Sequence, residues 1–129
     1  MHDFAARSAR TAPIGLLLMG AVFPYGWLAT VSPAFFRVLY GIFPTGDTHV
    51  YGHIVGFAVV GAILLIALPR LQHKAPLFLG LILVLGLSQE TFQLSYKSQA
   101  SSADFVGDVG VDVLTAAMVW AVMKTFKRT

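Results

Sequence analysis

Long apolar stretches, separated by short breaks that carry prolines or charges, dominate this chain. The first runs over roughly 12–31 and is interrupted only by Pro24, and the second runs over roughly 49–68 and stops before Pro69-Arg70. The third spans roughly 76–94 and the fourth roughly 103–123. Each is close to the roughly 20 residues a helix needs to cross a bilayer core. Pro76 reads as a start signal, because the N–H that proline lacks has no intrahelical partner in a first turn. The pattern predicts an all-α, integral membrane four-helix bundle, with 1–129 forming one domain. The segment 32–48 is long for a link between neighbouring helices. Within it Phe35, Phe36, Leu39, Tyr40 and Phe43 recur at about helical spacing between Pro33 and Pro44. This predicts a short interfacial segment between helices 1 and 2, either an anchor in the headgroup region or a partial lid over a polar pocket. Gly52 and Gly56, then Ala58 and Ala62, fall four apart in the second span and are expected to admit a close helix neighbour.

Composition sharpens this picture. The chain is 57% hydrophobic, has a mean hydropathy of +0.75 and is only 12% charged, against about 25% in ordinary soluble proteins. It has no cysteine, which removes disulfides, thiolate metal sites and cysteine nucleophiles together. The net charge of +3 is no nucleic-acid footprint, because the basic residues sit in short flanks. Arg7, Arg10, Arg70, Lys74, Lys124, Lys127 and Arg128 lie on one side of the predicted spans, seven against the two on the other, Arg37 and Lys97. The positive-inside rule then predicts a multi-pass protein of the bacterial cytoplasmic (inner) membrane with both termini cytoplasmic. The start of the chain through Phe23 also has the charge pattern of a signal peptide. No small-x-small cleavage site follows, however, and the apolar stretch continues past Pro24, so an uncleaved first helix is expected.

Nearly all acids and two of the histidines fall at the outward ends of these spans. Asp47, His49 and His53 open the second, Glu90 and Gln93 close the third, and Asp104, Asp108 and Asp112 open the fourth. Charge within a membrane is costly, so such a group is a functional candidate by default. The three aspartates are spaced by four and form one near-axial stripe on a helix, with Asp112 roughly 12 Å deeper than Asp104. An EF-hand loop would place its acids every second residue, so this is a helix face. Ser101-x-x-Asp104 has capping-box spacing, which makes Asp104 a cap residue before it is a catalyst. Asp108 and Asp112 fit either an interhelical network or a functional site, and Gln93 fits a structural bridge. His49 and His53 are also four apart and share a face. This is a metal-ligand spacing, although no HExxH glutamate accompanies it, and hydrogen bonding to carboxylates is the other reading. No metal site is assigned; His49, His53 and Asp108 are the candidate ligands of a divalent cation. So many carboxylates cannot all stay ionised in a low-dielectric pocket without a proton or a cation. Convergence of His53, Glu90 and Asp108 in the outer third of the bundle is expected. No nucleophile elbow, phosphate loop or dinucleotide fingerprint is present, which weighs against an enzyme.

These residues resemble a known family. "GHIVGF", with His53 and Phe57, is similar to the His-x-x-x-aromatic signature of VanZ-like membrane proteins. "QETFQ" matches that family's Glu-x-x-Gln through Glu90 and Gln93, and "SSADFVGDVGVD" is similar to its Asp-x-x-x-Asn/Asp element opening the last helix. The motifs occur in the family's order over roughly Asp47 to Thr115. Three positions depart from it. His49 stands where the family has an acid, and its arginine is missing, with Lys97 the nearest cation. The aspartate element aligns on Asp104-Asp108 or Asp108-Asp112, so Asp108 is common to both. The resemblance implies a small polytopic protein of the bacterial cell envelope and no settled activity. Three functions are compatible with it. One is binding an envelope or lipid-linked ligand through the outward acid/His cluster. A second is an accessory subunit of a larger membrane complex. A third is a lipid-headgroup enzyme with Asp108 or Glu90 as general base and His53 as its acid–base partner.

Overall fold

The computed structural model describes residues 14–16, 18–20, 23, 25–42, 44, 46–95 and 101–126, with the backbone alone for 46–48. Among the described residues the structure is all-helical. Two short helices, α1 (Ile14–Gly20) and α2 (Tyr25–Val31), precede α3 (Pro33–Ile42), α4 (Gly46–Ala67), α5 (Ala75–Leu94) and α6 (Ser102–Phe126). A 3-10 turn over Pro69–His73 joins α4 to α5. Three helices are long and apolar enough to cross a membrane: His49–Ala67, Ala75–Leu94 and Ser102–Phe126.

The expected first span is not one straight helix. Its two pieces, α1 and α2, are bent by 59°, and they make a fourth span only if the bent pair counts as one. Pro24 falls between them in the sequence, and proline removes a ladder donor and clashes with the preceding turn. The Tyr25 hydroxyl donates to the Gly20 carbonyl, one of the acceptors a helix end leaves over. The short helix expected between helices 1 and 2 is α3. Ser32 caps it by accepting the Phe35 N–H at 3.3 Å, and Pro33 occupies its first position. Phe36 and Tyr40 stack on its surface with ring centroids 4.3 Å apart, and its main packing partner is α2.

The last helix, α6, packs against both α4 and α5 and is the centre of the bundle. Each helix buries one stripe: Phe57, Val60, Leu64 and Leu65 on α4, Phe78 and Ile82 on α5, and Ala116 on α6. Leu18 of α1 packs against the same core. The opposite faces carry exposed apolar side chains, among them Val55, Val59 and Ile66, Leu77 and Val84, and Leu114, Met118 and Val122. An apolar exterior of this extent suits hydrocarbon, since soluble monomers rarely expose contiguous apolar patches above a few hundred Å².

Close approach comes from other small residues than Gly52 and Gly56. A Cβ at either of those would meet nothing within 4 Å, whereas one at Gly61 would lie 3.5 Å from the Phe78 ring and 3.7 Å from Ala116. The four-residue spacing marks a narrow face without saying which neighbour it turns to, and α6 lies against Gly61 instead.

The turn between α4 and α5 is closed by a buried polar contact. Pro69 has no N–H for the carbonyl of Leu65, and Gln72 Nε2 donates to that oxygen at 2.9 Å. Gln72 is buried, so Gln72→Leu should strand the carbonyl and lower stability by about 1–3 kcal/mol. Thermal unfolding in detergent reads this directly; an unchanged midpoint would mean the carbonyl is satisfied otherwise. At this end of the bundle Arg70, Lys74 and Lys124 are exposed, and the Lys124 ammonium lies over the Trp120 ring at 4.5 Å from its centroid.

Candidate functional site

The burial stripes change from apolar to polar toward the end of the bundle away from Arg70 and Lys124. On α4 the stripe Leu64, Val60, Phe57 continues to His53; on α5 Phe78, Ile82, Gly86 continues to Glu90; on α6 Ala116 continues to Asp112 and Asp108. Helical periodicity therefore points these polar side chains at one another for the same reason that the apolar ones meet below them.

His53 is the hub. Its Nδ1 lies 2.8 Å from Asp112 Oδ1, a distance typical of a charge-assisted hydrogen bond. On the other edge of the ring, Nε2 faces Glu90 Oε1 at 3.5 Å and Asp108 Oδ2 at 3.9 Å. Asp108 Oδ2 also lies 3.7 Å from His49 Nδ1. Gln93 Nε2 donates to Glu90 Oε1 at 2.9 Å, so the amide bridges within α5 and steers Glu90 toward His53. The His49 and His53 rings are 4.7 Å apart, and the Phe57 ring lies parallel to His53 with centroids 6.3 Å apart, one turn deeper.

Accessibility falls steadily inward. The side chain of His49 is 43% exposed, Asp108 12%, Glu90 5%, His53 4% and Asp112 0%. The cluster is thus a polar shaft with His49 at its mouth and Asp112 at its floor. Asp112 fits there because α5 has no side chain opposite it: a Cβ on Gly86 would stand 3.0 Å from Asp112 Oδ2. That oxygen and Gln93 Oε1 are buried without a hydrogen-bond partner.

The expected convergence of His53, Glu90 and Asp108 is thus a property of the fold, with His49, Gln93 and Asp112 joined to it. Asp104 stands apart. Its side chain is exposed in the first turn of α6, and its N–H donates to Ser101 Oγ at 3.0 Å, the cap that Ser101-x-x-Asp104 predicts. Asp47 lies in the first turn of α4, and its side chain, like Lys97, lies outside the described residues. Gly86 is the one contributor that the sequence reading left out. It follows Phe78 and Ile82 at four-residue intervals, which marks the buried stripe of α5 but not what lies opposite Gly86.

Chemically, the Asp112–His53 pair fixes the ring tautomer. When Nδ1–H points to the carboxylate, Nε2 presents a lone pair to two further carboxylates. That arrangement is unfavourable unless a proton or a metal ion lies between them. It can therefore hold a cation, or relay a proton through Nε2. The chain matches no protein-family model, no curated protein and no solved structure. The resemblance to VanZ-like proteins consequently rests on the motifs alone.

Proposed function

We propose that the chain is a small multi-pass membrane protein of VanZ-like type that binds an envelope or lipid-linked ligand through the His53-centred cluster. The observation that carries this reading is the meeting of His53, Glu90 and Asp108 from three membrane-length helices. They meet at the end opposite the exposed Arg70, Lys74 and Lys124. By the positive-inside rule that basic end is cytoplasmic, which turns the cluster toward the outer face of a bacterial inner membrane. In this orientation α3, which exposes Phe36 and Tyr40 and ends four residues before α4 begins at Gly46, is read as the interfacial segment. The bend between α1 and α2 is read as part of a fourth, broken span.

Two experiments test this. Reporter fusions after Thr129 and within the segment between α5 and α6 should report opposite sides of the membrane; matching sides would reject the orientation. For the ligand, protein extracted from native membranes should carry a phosphate- or carboxylate-bearing lipid detectable by mass spectrometry. The His53→Gln variant should lose it while remaining monodisperse. Equal lipid content in both would end the ligand-binding reading.

A second reading, an accessory subunit, draws on Gly52 and Gly56, which leave open space on α4. A stoichiometric protein partner in native-level purification, lost on Gly56→Leu, would favour it over ligand binding. The Asp112–His53 dyad keeps acid–base catalysis on a lipid headgroup as a third reading, and turnover of a supplied lipid would be its test.

A further inference from the structure

The geometry points to a divalent transition-metal site with His49 Nδ1, His53 Nε2 and Asp108 Oδ2 as its protein ligands, Zn²⁺ being the ion that fits best. This rests on the reading of the cluster as a binding site and names what occupies it first.

Spacing is the first argument. One ligand atom from each of His49, His53 and Asp108 lies within 4.8 Å of the other two. The separations to Asp108 Oδ2 are 3.7 Å from His49 and 3.9 Å from His53. Groups that bonded one another directly would close to about 2.7–2.9 Å. Atoms sharing a tetrahedral ion with bonds of about 2.0–2.1 Å stand about 3.3 Å apart, so the separations of 3.7 and 3.9 Å to Asp108 Oδ2 are near that value, and the two histidine nitrogens lie within 4.8 Å of each other. Two histidines one helical turn apart plus a carboxylate from a second helix form a His₂-carboxylate set. Such three-ligand sites leave one coordination position for water or an exogenous oxygen.

The surroundings of His53 supply the second argument. A metal-bound imidazole almost always gives its other ring N–H to a carboxylate or carbonyl, which fixes the tautomer and the ring plane. Asp112 does this at 2.8 Å, fully buried in the slot that Gly86 leaves. A proton on Nε2 would draw one carboxylate to hydrogen-bond distance, whereas two oxygens held at 3.5 and 3.9 Å leave room for a shared cation. Thirdly, Gln93 is 5% exposed and its Oε1 is buried without a donor, while its Nε2 holds Glu90 Oε1 beside His53. A water on the open metal position would be the group an exogenous oxygen ligand displaces. With Glu90, Asp108 and Asp112 ionised, the divalent ion leaves the cluster one negative charge instead of three. Access is through His49, the exposed member.

The donor set favours imidazole-binding ions over Mg²⁺ or Ca²⁺, which take oxygen ligands. Full-length protein, stripped with chelator in mild detergent, should bind one equivalent of Zn²⁺ by calorimetry and leave Mg²⁺ unbound at the same concentrations. Co²⁺ should give visible absorption bands of a low-coordinate nitrogen/oxygen site. His49→Ala, at the exposed mouth where truncation spares the core, and Asp108→Asn should each weaken Zn²⁺ at least tenfold. Asp112→Asn, which touches no ion, should weaken it by about 10–100-fold. Wild-type protein with no saturable Zn²⁺ site, or His49→Ala and Asp108→Asn both with unchanged affinity, would overturn the proposal. The titration contains no lipid ligand, so the two readings fail separately. Zn²⁺ binding without a co-purified lipid would reject the proposed function alone, and a retained lipid without Zn²⁺ binding would reject the metal site alone.

Discussion

Truncating Asp112 to alanine is expected to lower the stability of the chelator-treated protein by about 3 kcal/mol, from a buried donor left without an acceptor together with the void the side chain leaves. Asp112→Asn is expected to cost about 1 kcal/mol or less. The contrast follows from what each change leaves behind. Asp112 is fully buried, and its Oδ1 pairs with His53 Nδ1 at 2.8 Å. Alanine leaves the imidazole without that acceptor and opens a void against Gly86. Asparagine keeps an oxygen for the Nδ1–H, and its amide nitrogen replaces an oxygen that has no partner in the first place. Neutral interhelical hydrogen bonds in membranes average only about 0.6 kcal/mol, because helices in the unfolded reference also find partners. A loss near 3 kcal/mol therefore marks the stranded donor and the void together, beyond what one neutral hydrogen bond supplies. Urea or detergent-exchange unfolding of the two variants beside wild type provides the comparison. An alanine variant within about 0.5 kcal/mol of wild type would show that the pair is not under load, which would reduce the cluster to a solvated groove.

Much of this architecture is legible from residue order. The expected edges 76–94 and 103–123 lie within a few residues of α5 (Ala75–Leu94) and α6 (Ser102–Phe126), because proline and a serine cap mark helix starts by local chemistry. The end of α4 at Ala67 is set the same way by Pro69. The first apolar stretch is bent by 59°, a feature apolar content does not show because it measures length and not straightness. The site residues are legible as a group, since charge in so apolar a chain stands out. Their pairing is not. Asp108 and Asp112 lie on one stripe, so either could meet His53, and only the axial register of α6 against α4 decides that Asp112 takes Nδ1 while Asp108 faces Nε2. That register is set by shapes deeper in the bundle, where Ala116 settles against Gly61. No local motif encodes it. Gly86 is hidden for the same reason: a glycine in an apolar run carries no mark of what lies opposite.

Gly86 gives the most discriminating test of the register. A methyl group there would stand 3.0 Å from Asp112 Oδ2 but 3.7 Å from Asp112 Cβ, so the conflict is with the carboxylate and not with the helix behind it. Gly86→Ala should therefore cost about 1–3 kcal/mol, the usual range for overpacking a filled interior. Gly80, on the same helix, has nothing within 4 Å of its added Cβ, and Gly80→Ala should stabilise by about 0.5–1 kcal/mol through helix propensity alone. In the Asp112→Ala background the carboxylate is gone and the added methyl enters the space it leaves, so Gly86→Ala should become neutral or stabilising there. The coupling energy of the double-mutant cycle should then reach at least about 1 kcal/mol, well above the roughly 0.3–0.5 kcal/mol scatter of independent sites. Additive losses would mean that α5 and α6 do not meet at this level, and the cluster would have to be rebuilt on a different register. Positive coupling with Gly80→Ala unaffected would fix the two helices against each other at the floor of the site. It would also tie the position of His53, through Asp112, to a residue that has no side chain at all.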